Sequence, residues 1–184
     1  MKTNIFFNKN RQAGMTLIEA SVWFVLFALV IAGALKMYTS VSSSQTTSAM
    51  TTDVIALRSA AQGLFSGSPG GYGAAATNLN SVLITANKIP ASIKVSGAVL
   101  TNEQQGTITI TAAGPGSFTL VETALTADVC TGLLSNMASQ GFTTIATTGT
   151  TVPASFSPGS AITPTTAAGA CATATTATVT FTSA

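Results

Sequence analysis

Two kinds of hydrophobic pattern divide this chain. Residues 20–35, ASVWFVLFALVIAGAL, form an apolar run without a charge, and from Met15 to Leu35 only Glu19 interrupts it. A membrane-crossing helix needs about 20 mostly apolar residues. A cleaved secretory signal has a shorter core of about 7–15, followed by small residues. This run is longer, and Lys36-Met37-Tyr38 follows it, so it reads as a retained span. Further on the pattern becomes periodic. Met50, Val54, Leu57, Ala61 and Leu64 recur at alternating steps of four and three, the mark of a helix with one buried face. The stretch Tyr38–Ser48 between them is rich in Ser and Thr, mediocre helix formers, and Gly33 is a second soft point. The two patterns predict one long helix from about Thr16 to Phe65 with a weak middle, stopped by GSPGGYG at 67–73.

Shorter elements follow. A loop leads to an apolar element at Leu79–Ile84, and NKIPASIKV comes after it. TITIT at 107–111, the turn AGPGS and FTLV at 118–121 predict a β-hairpin. Leu125, Val129, Leu133 and Met137 recur every fourth residue and predict a short amphipathic helix, closed by Gly141-Phe142. Residues 143–160 read as loop. In ATVTFTSA, Val179 and Phe181 alternate with threonines and predict an outer or closing strand. The expected class is α+β: a long N-terminal helix packed on an antiparallel sheet head.

Charge is the scarce quantity. Lys, Arg, Asp and Glu make up 7% of the 184 residues, against about 25% in ordinary domains. There is no histidine, which excludes His-based catalysis and His-ligated metal sites. The dense Lys/Arg footprint of nucleic-acid binders is missing, and Lys88 and Lys94 with Tyr72 are too few for a single-strand groove. Asp128 is the last charged residue, so residues 129–184 cannot host a carboxylate pair, a Lys base or an Arg clamp. Glu103, Glu122 and Asp128 are expected on solvated surface, and Asp53 and Arg58 along the outer face of the long helix. No catalytic residue, cofactor or metal is assigned, and a membrane-anchored enzyme or solute-binding domain is disfavoured.

Lys2, Lys9 and Arg11 precede the apolar run with no acid among them. The positive-inside rule then puts the N-terminus in the cytoplasm and residues beyond about 36 outside. Glu19 is the anomaly: an acid costs roughly 2.5–3.5 kcal/mol at the centre of a membrane helix, less near an end. A carboxylate snorkelling to the interface is the bland reading. The sharper one takes its neighbours, AG-MTLIEA. Gly14 stands before Met15, Thr16 follows, and Glu19 comes four residues after Met15 ahead of the apolar run. This resembles the processing site of type IV pilins. The resemblance implies a leader, residues 1–14, cut between Gly14 and Met15 by a prepilin peptidase on the cytoplasmic side. It also implies an N-methylated amine on Met15 and an assembly role for Glu19. Without the leader, four basic and five acidic side chains remain, so the positive balance belongs to the leader.

The order of parts resembles the type IVb pilins, the bundlin and toxin-coregulated-pilin group. SAAQGLFSGSPGGYG…NLNSVLITANKIPASI (59–93) and SAITPTTAAGAC (160–171) carry the likeness in the head. The domains implied are the leader, a long helix over 15–66 with 15–35 in the membrane or filament core, and a globular head over 67–184. The chain has two cysteines, Cys130 and Cys171. In a translocated domain two cysteines usually pair, and the resemblance implies the same disulfide, bounding the C-terminal region. A catalytic thiol lacks a histidine base, and two cysteines alone make a weak metal site. The function implied is the major subunit of a type IVb pilus. It would be anchored in the bacterial inner membrane as precursor, then exported as a homopolymer by the assembly machinery to serve adhesion, aggregation or DNA-transfer contact. A minor pilin or a type II secretion pseudopilin is the alternative, since both share the N-terminus.

Overall fold

The computed structural model describes residues 16–152, 154–157, 160, 162–172 and 176–184. The chain forms two compact units, Met1–Ser40 and Val41–Ala184. Helix α1 (Leu17–Phe65) takes part in both. It is unbroken at Gly33 and through the Ser/Thr stretch. There the hydroxyls of Thr47, Ser48 and Thr52 donate to the carbonyls of Ser43, Ser44 and Ser48, so the groups that compete with helical bonding are satisfied by the helix itself.

The second unit is built on an antiparallel sheet. Its elements after α1 are α2 (Asn80–Thr85), β1 (Lys94–Ser96), β2 (Val99–Thr101), β3 (Thr107–Gly114), β4 (Ser117–Leu125) and α3 (Ala127–Met137), then β5 (Thr144–Thr148), β6 (Ser155–Phe156), α4 (Pro164–Ala170) and β7 (Ala177–Ser183). The strand order is β1-β2-β3-β4-β7-β5-β6. Alternation decides which face is inside: Ile108, Ile110, Phe118, Leu120, Val179 and Phe181 are buried, while their neighbours along each strand are half exposed or, at Thr107, exposed. Met50, Val54, Leu57 and Ala61 of α1 join them in one core cluster, as do Val129, Leu133 and Met137 of α3. Each large side chain so buried contributes roughly 1.5–3 kcal/mol.

Polar side chains close the edges. Asn80 donates from Nδ2 to the carbonyl of Ile108 (3.0 Å) and accepts at Oδ1 from the amide of Ile110 (2.9 Å). It thereby pairs with β3 as a strand would. Two glycines permit close backbone approach: a Cβ at Gly71, where φ is +55°, or at Gly106 would lie 1.9 Å from the carbonyl oxygen of Pro115 or Thr123.

Several expectations are met in position and corrected in detail. The hairpin at 107–121 is β3–β4, longer at both ends, and the apolar element at 79–84 is α2. The amphipathic helix expected from Leu125 is α3 and starts at Ala127; Leu125 instead ends β4, after Ala124 turns with φ +61°. Residues 143–160 are not simply loop, because β5 and β6 lie in them. Their Thr-Ile-Ala-Thr-Thr run has too few large apolar residues to show as a strand. The last strand is not at the sheet's edge: β7 pairs with β4 on one side and β5 on the other. Its fully buried Val179 and Phe181 fit that central place. Helix α4 begins where Pro164 occupies the first turn and Thr163 caps it by accepting from the amide of Thr166.

Candidate functional site

Three places carry the residues singled out from sequence: the start of α1, the buried polar groups of the head, and the cysteines. Gly14 and Met15 lie outside the described residues. Glu19 stands in the first turn of α1, exposed, and its amide donates to Thr16 Oγ1 at 3.3 Å. Thr16 therefore caps the helix, with Glu19 three residues on, the spacing of a capping box. Sequence reasoning used Thr16 only as part of a motif; the Thr-x-x-Glu spacing was the signal for its cap. An acid in a first turn also meets the positive end of the helix dipole. Among the described residues the Glu19 carboxylate has no hydrogen-bond or ionic partner.

Apart from Glu19 and Ser21, α1 is apolar on all sides from Leu17 to Leu35. Leu17, Ile18, Phe24, Phe27, Leu29, Val30 and Leu35 are all exposed. The segment is long and apolar enough to cross a membrane. Its hydroxyls are internally spent, Ser21 on the carbonyl of Ile18 and Thr39 on that of Lys36. A surface of this kind needs lipid or other protein around it.

Three charged residues depart from expectation: Glu122 is not on solvated surface, and Asp53 and Arg58 do not lie along an outer face of α1. Glu122, on β4, is 1% exposed. Its Oε2 accepts from Asn102 Nδ2 at 2.8 Å, and its Oε1 has no hydrogen-bond partner among the described residues. Burial raises its pKa to about 8; the Asn102 hydrogen bond opposes this and the nearby Asp53 adds to it. Glu122 is therefore largely a neutral acid at pH 7. Asn102 also accepts at Oδ1 from the amides of Gln104 and Gly106, so one amide side chain holds both the β2–β3 turn and the buried acid. Asp53, on α1, is buried and accepts from Ser92 Oγ. Burial raises its pKa, the Ser92 bond lowers it and Glu103 raises it.

Arg58 is the third correction. It is half buried, with Nε on Ser183 Oγ at 2.9 Å, Nη2 on the Gly141 carbonyl at 2.8 Å and Nη1 on the Gln140 carbonyl. Its guanidinium lies 4.7 Å from the centre of the Phe142 ring. It ties α1 to β7 and to the segment after α3. Glu103 and Asp128 are exposed, as expected.

Cys130 of α3 and Cys171, which caps α4, form a disulfide with 5.8 Å between their Cα atoms. It bounds the C-terminal region and staples α3 to α4. Gly132 on the same helix faces Thr47 of α1: a Cβ there would sit 2.7 Å from Thr47 Cγ2. The described residues supply packing, a braced turn and a large uncovered helix surface.

The family model described as PilS N terminal matches residues 44–184. Among solved structures, the chain is similar to TcpA, a type IV pilin from Vibrio cholerae El Tor biotype. The two are 19% identical with a TM-score of 0.55, over 76% of this chain and 99% of that one. At such identity the likeness is one of fold: a long N-terminal helix, an antiparallel sheet and a disulfide-bounded C-terminal region. No curated protein matches the chain.

Proposed function

We propose that this chain, which belongs to the PilS N-terminal family and has the type IV pilin fold, is the major subunit of a type IVb pilus. The family and fold are those of structural pilin subunits. The observation that carries the proposal is the uncovered apolar surface of α1 from Leu17 to Leu35. Before assembly lipid would surround it, and in a filament other copies of the same helix would. That exchange gains little from the hydrophobic effect, because lipid tails are equally apolar; packing and polar pairing must drive it.

The rest of the reading follows that logic. A prepilin peptidase removes residues 1–14 between Gly14 and Met15, and the amine of Met15 becomes N-methylated. A carboxylate and an ammonium are each costly in an apolar setting and tolerable as a pair. The Met15 amine of an incoming subunit would therefore seek Glu19 of a subunit already in place, fixing axial register. The precursor sits in the bacterial inner membrane, and its assembly machinery delivers the polymer outside the cell. Such a filament would act in adhesion, aggregation or DNA-transfer contact without binding nucleic acid through the head.

Electron microscopy of material sheared from producing cells, with antibody to residues 90–184, tests this. Continuous label along thin filaments is expected. Label at tips only, or processed protein that stays in the membrane, would mark a minor pilin or a type II secretion pseudopilin. Glu19→Val should still be inserted and processed yet give few filaments; normal filament yield would sink the assembly role.

A further inference from the structure

The face of the sheet turned away from the core is a lattice of threonine. Register places Thr111, Thr119, Thr182 and Thr144 in one row across β3, β4, β7 and β5. The next row is Thr109, Val121, Thr180 and Ala146, continued by Ser155 on β6. Thr107 with Thr123, and Thr178 with Thr148, flank these rows on the other side of the β4 irregularity. The residues of both complete rows are half exposed, and no outward residue of these four strands is charged. Lys94 stands two strands away, on β1 at the edge. On β3 and β4 the hydroxyls pair with each other, Thr111 with Thr119 at 2.8 Å and Thr107 with Thr123 at 3.0 Å. Those of Thr144, Thr178, Thr180 and Thr182 make no hydrogen bond among the described residues.

We infer that this face docks against the same face of a second copy carried by a neighbouring filament. The inference rests on the pilus-subunit reading and names a partner for it. Two arguments select a second copy. A surface without ions meets its own copy with no like-charge repulsion, which would otherwise cost several kcal/mol, and hydroxyls that both donate and accept are self-complementary. The size also fits. Four strands about 4.8 Å apart and seven residues long at about 3.4 Å each give roughly 450 Å² per copy. A stable pair of free proteins needs about 800 Å² per partner. One face is too small to hold two subunits together, but the same weak contact repeated along two filaments adds up by multivalency. The face therefore joins filaments, not subunits within one filament, and the contact holds at high salt.

The test compares sheared filaments of the wild type with Thr180→Glu and Thr180→Lys, using Thr85→Glu on α2 as control. Filament yield and length are read by electron microscopy and bundling by low-speed sedimentation. Both charged variants should form filaments of normal length and pellet roughly tenfold less, while the control pellets normally. Mixing the Glu and Lys filaments should restore bundles, and salt should dissolve those mixed bundles but not wild-type ones. Charged variants that bundle normally overturn the inference. So does a mixture that stays dispersed, which would assign the face to a chemically different partner. Where a charge blocks folding, Thr180→Cys keeps the size: its maleimide labelling should slow in bundled filaments relative to dispersed ones, and equal rates overturn the inference. A wild type that makes no filaments at all fails the subunit reading itself, and this contact with it.

Discussion

Residues 17–40 and 41–65 are one helix by backbone and two by chemistry. The first stretch is apolar on every side from Leu17 to Leu35, Glu19 and Ser21 apart, and exposed; the second buries one stripe, Met50, Val54, Leu57 and Ala61, and carries most of the helix's Ser, Thr and Gln elsewhere. Burial in the second stretch is local, within its own chain, and stabilises the head. The first stretch has no such partner, so its apolar area contributes nothing to the head's stability. Changes in residues 17–40 should therefore alter membrane insertion and polymerisation, and changes in residues 41–65 should alter folding.

The two acids in apolar settings extend the contrast and give the largest expected effect. Glu19 is exposed, and its proposed partner comes from another copy. Glu122 is enclosed by its own chain, with Asn102 facing it from the β2–β3 turn and Asp53 from α1. Unfolded, Glu122 loses its proton near 4.5; folded, it holds it to about 8. Between those values the folded state binds more protons, so stability falls as pH rises. The contribution of Glu122 is fully present below about 4.5 and gone above about 8, a span of about 5 kcal/mol at most. Thermal unfolding of the full chain in detergent, followed by the near-ultraviolet signal of buried Tyr72, should show a falling midpoint from pH 5 to 8.5. Glu122→Gln should flatten that slope. A slope that survives the substitution would place the titration elsewhere.

Two further changes sharpen the division. Replacing both cysteines by serine opens a loop with a sequence separation of 41, worth about 4 kcal/mol in the chain-entropy model. The head should unfold at much lower denaturant, while membrane insertion of the first stretch stays unchanged. Leu57→Ala should cost about 3 kcal/mol, because the fully buried site leaves a cavity. Leu29→Ala, in the exposed stretch, should leave the same transition within about 0.5 kcal/mol. Equal losses from the two would break the comparison.

The long helix, the β3–β4 hairpin and α2 were legible because each carries a periodic or continuous apolar signal. Strand β5 was not: Ile145 is its only large apolar residue, and its place depends on pairing with β7. The same long-range pairing put β7 inside the sheet, since alternation looks alike in a central and an edge strand. Glu122 was misread for a related reason. Its own strand alternates Phe118, Leu120, Glu122 on the inward face, which was a usable signal, but the enclosing Asn102 lies in a turn twenty residues away. Gly14 and Met15 rest on the motif alone.

The smallest effect concerns the two bases of α1. Lys36 lies in the first stretch, exposed, and has no hydrogen-bond partner for its ammonium among the described residues. Arg58 lies in the second and spreads its fork over Ser183, Gly141 and Gln140 while covering Phe142. Lysine keeps the charge but cannot present several donors in one plane. Arg58→Lys should therefore lower head stability by about 1–2 kcal/mol, the scale of one or two hydrogen bonds made by a charged group. Arg58→Ala should cost more, because the Phe142 ring loses its cover and two carbonyls lose a donor. Lys36→Ala should leave the Tyr72-reported midpoint where it is. The partners of Arg58 are neutral, so its contribution should persist at high salt, unlike a surface ion pair. A Lys36→Ala variant as unstable as Arg58→Lys would mean that the first stretch supports the head after all.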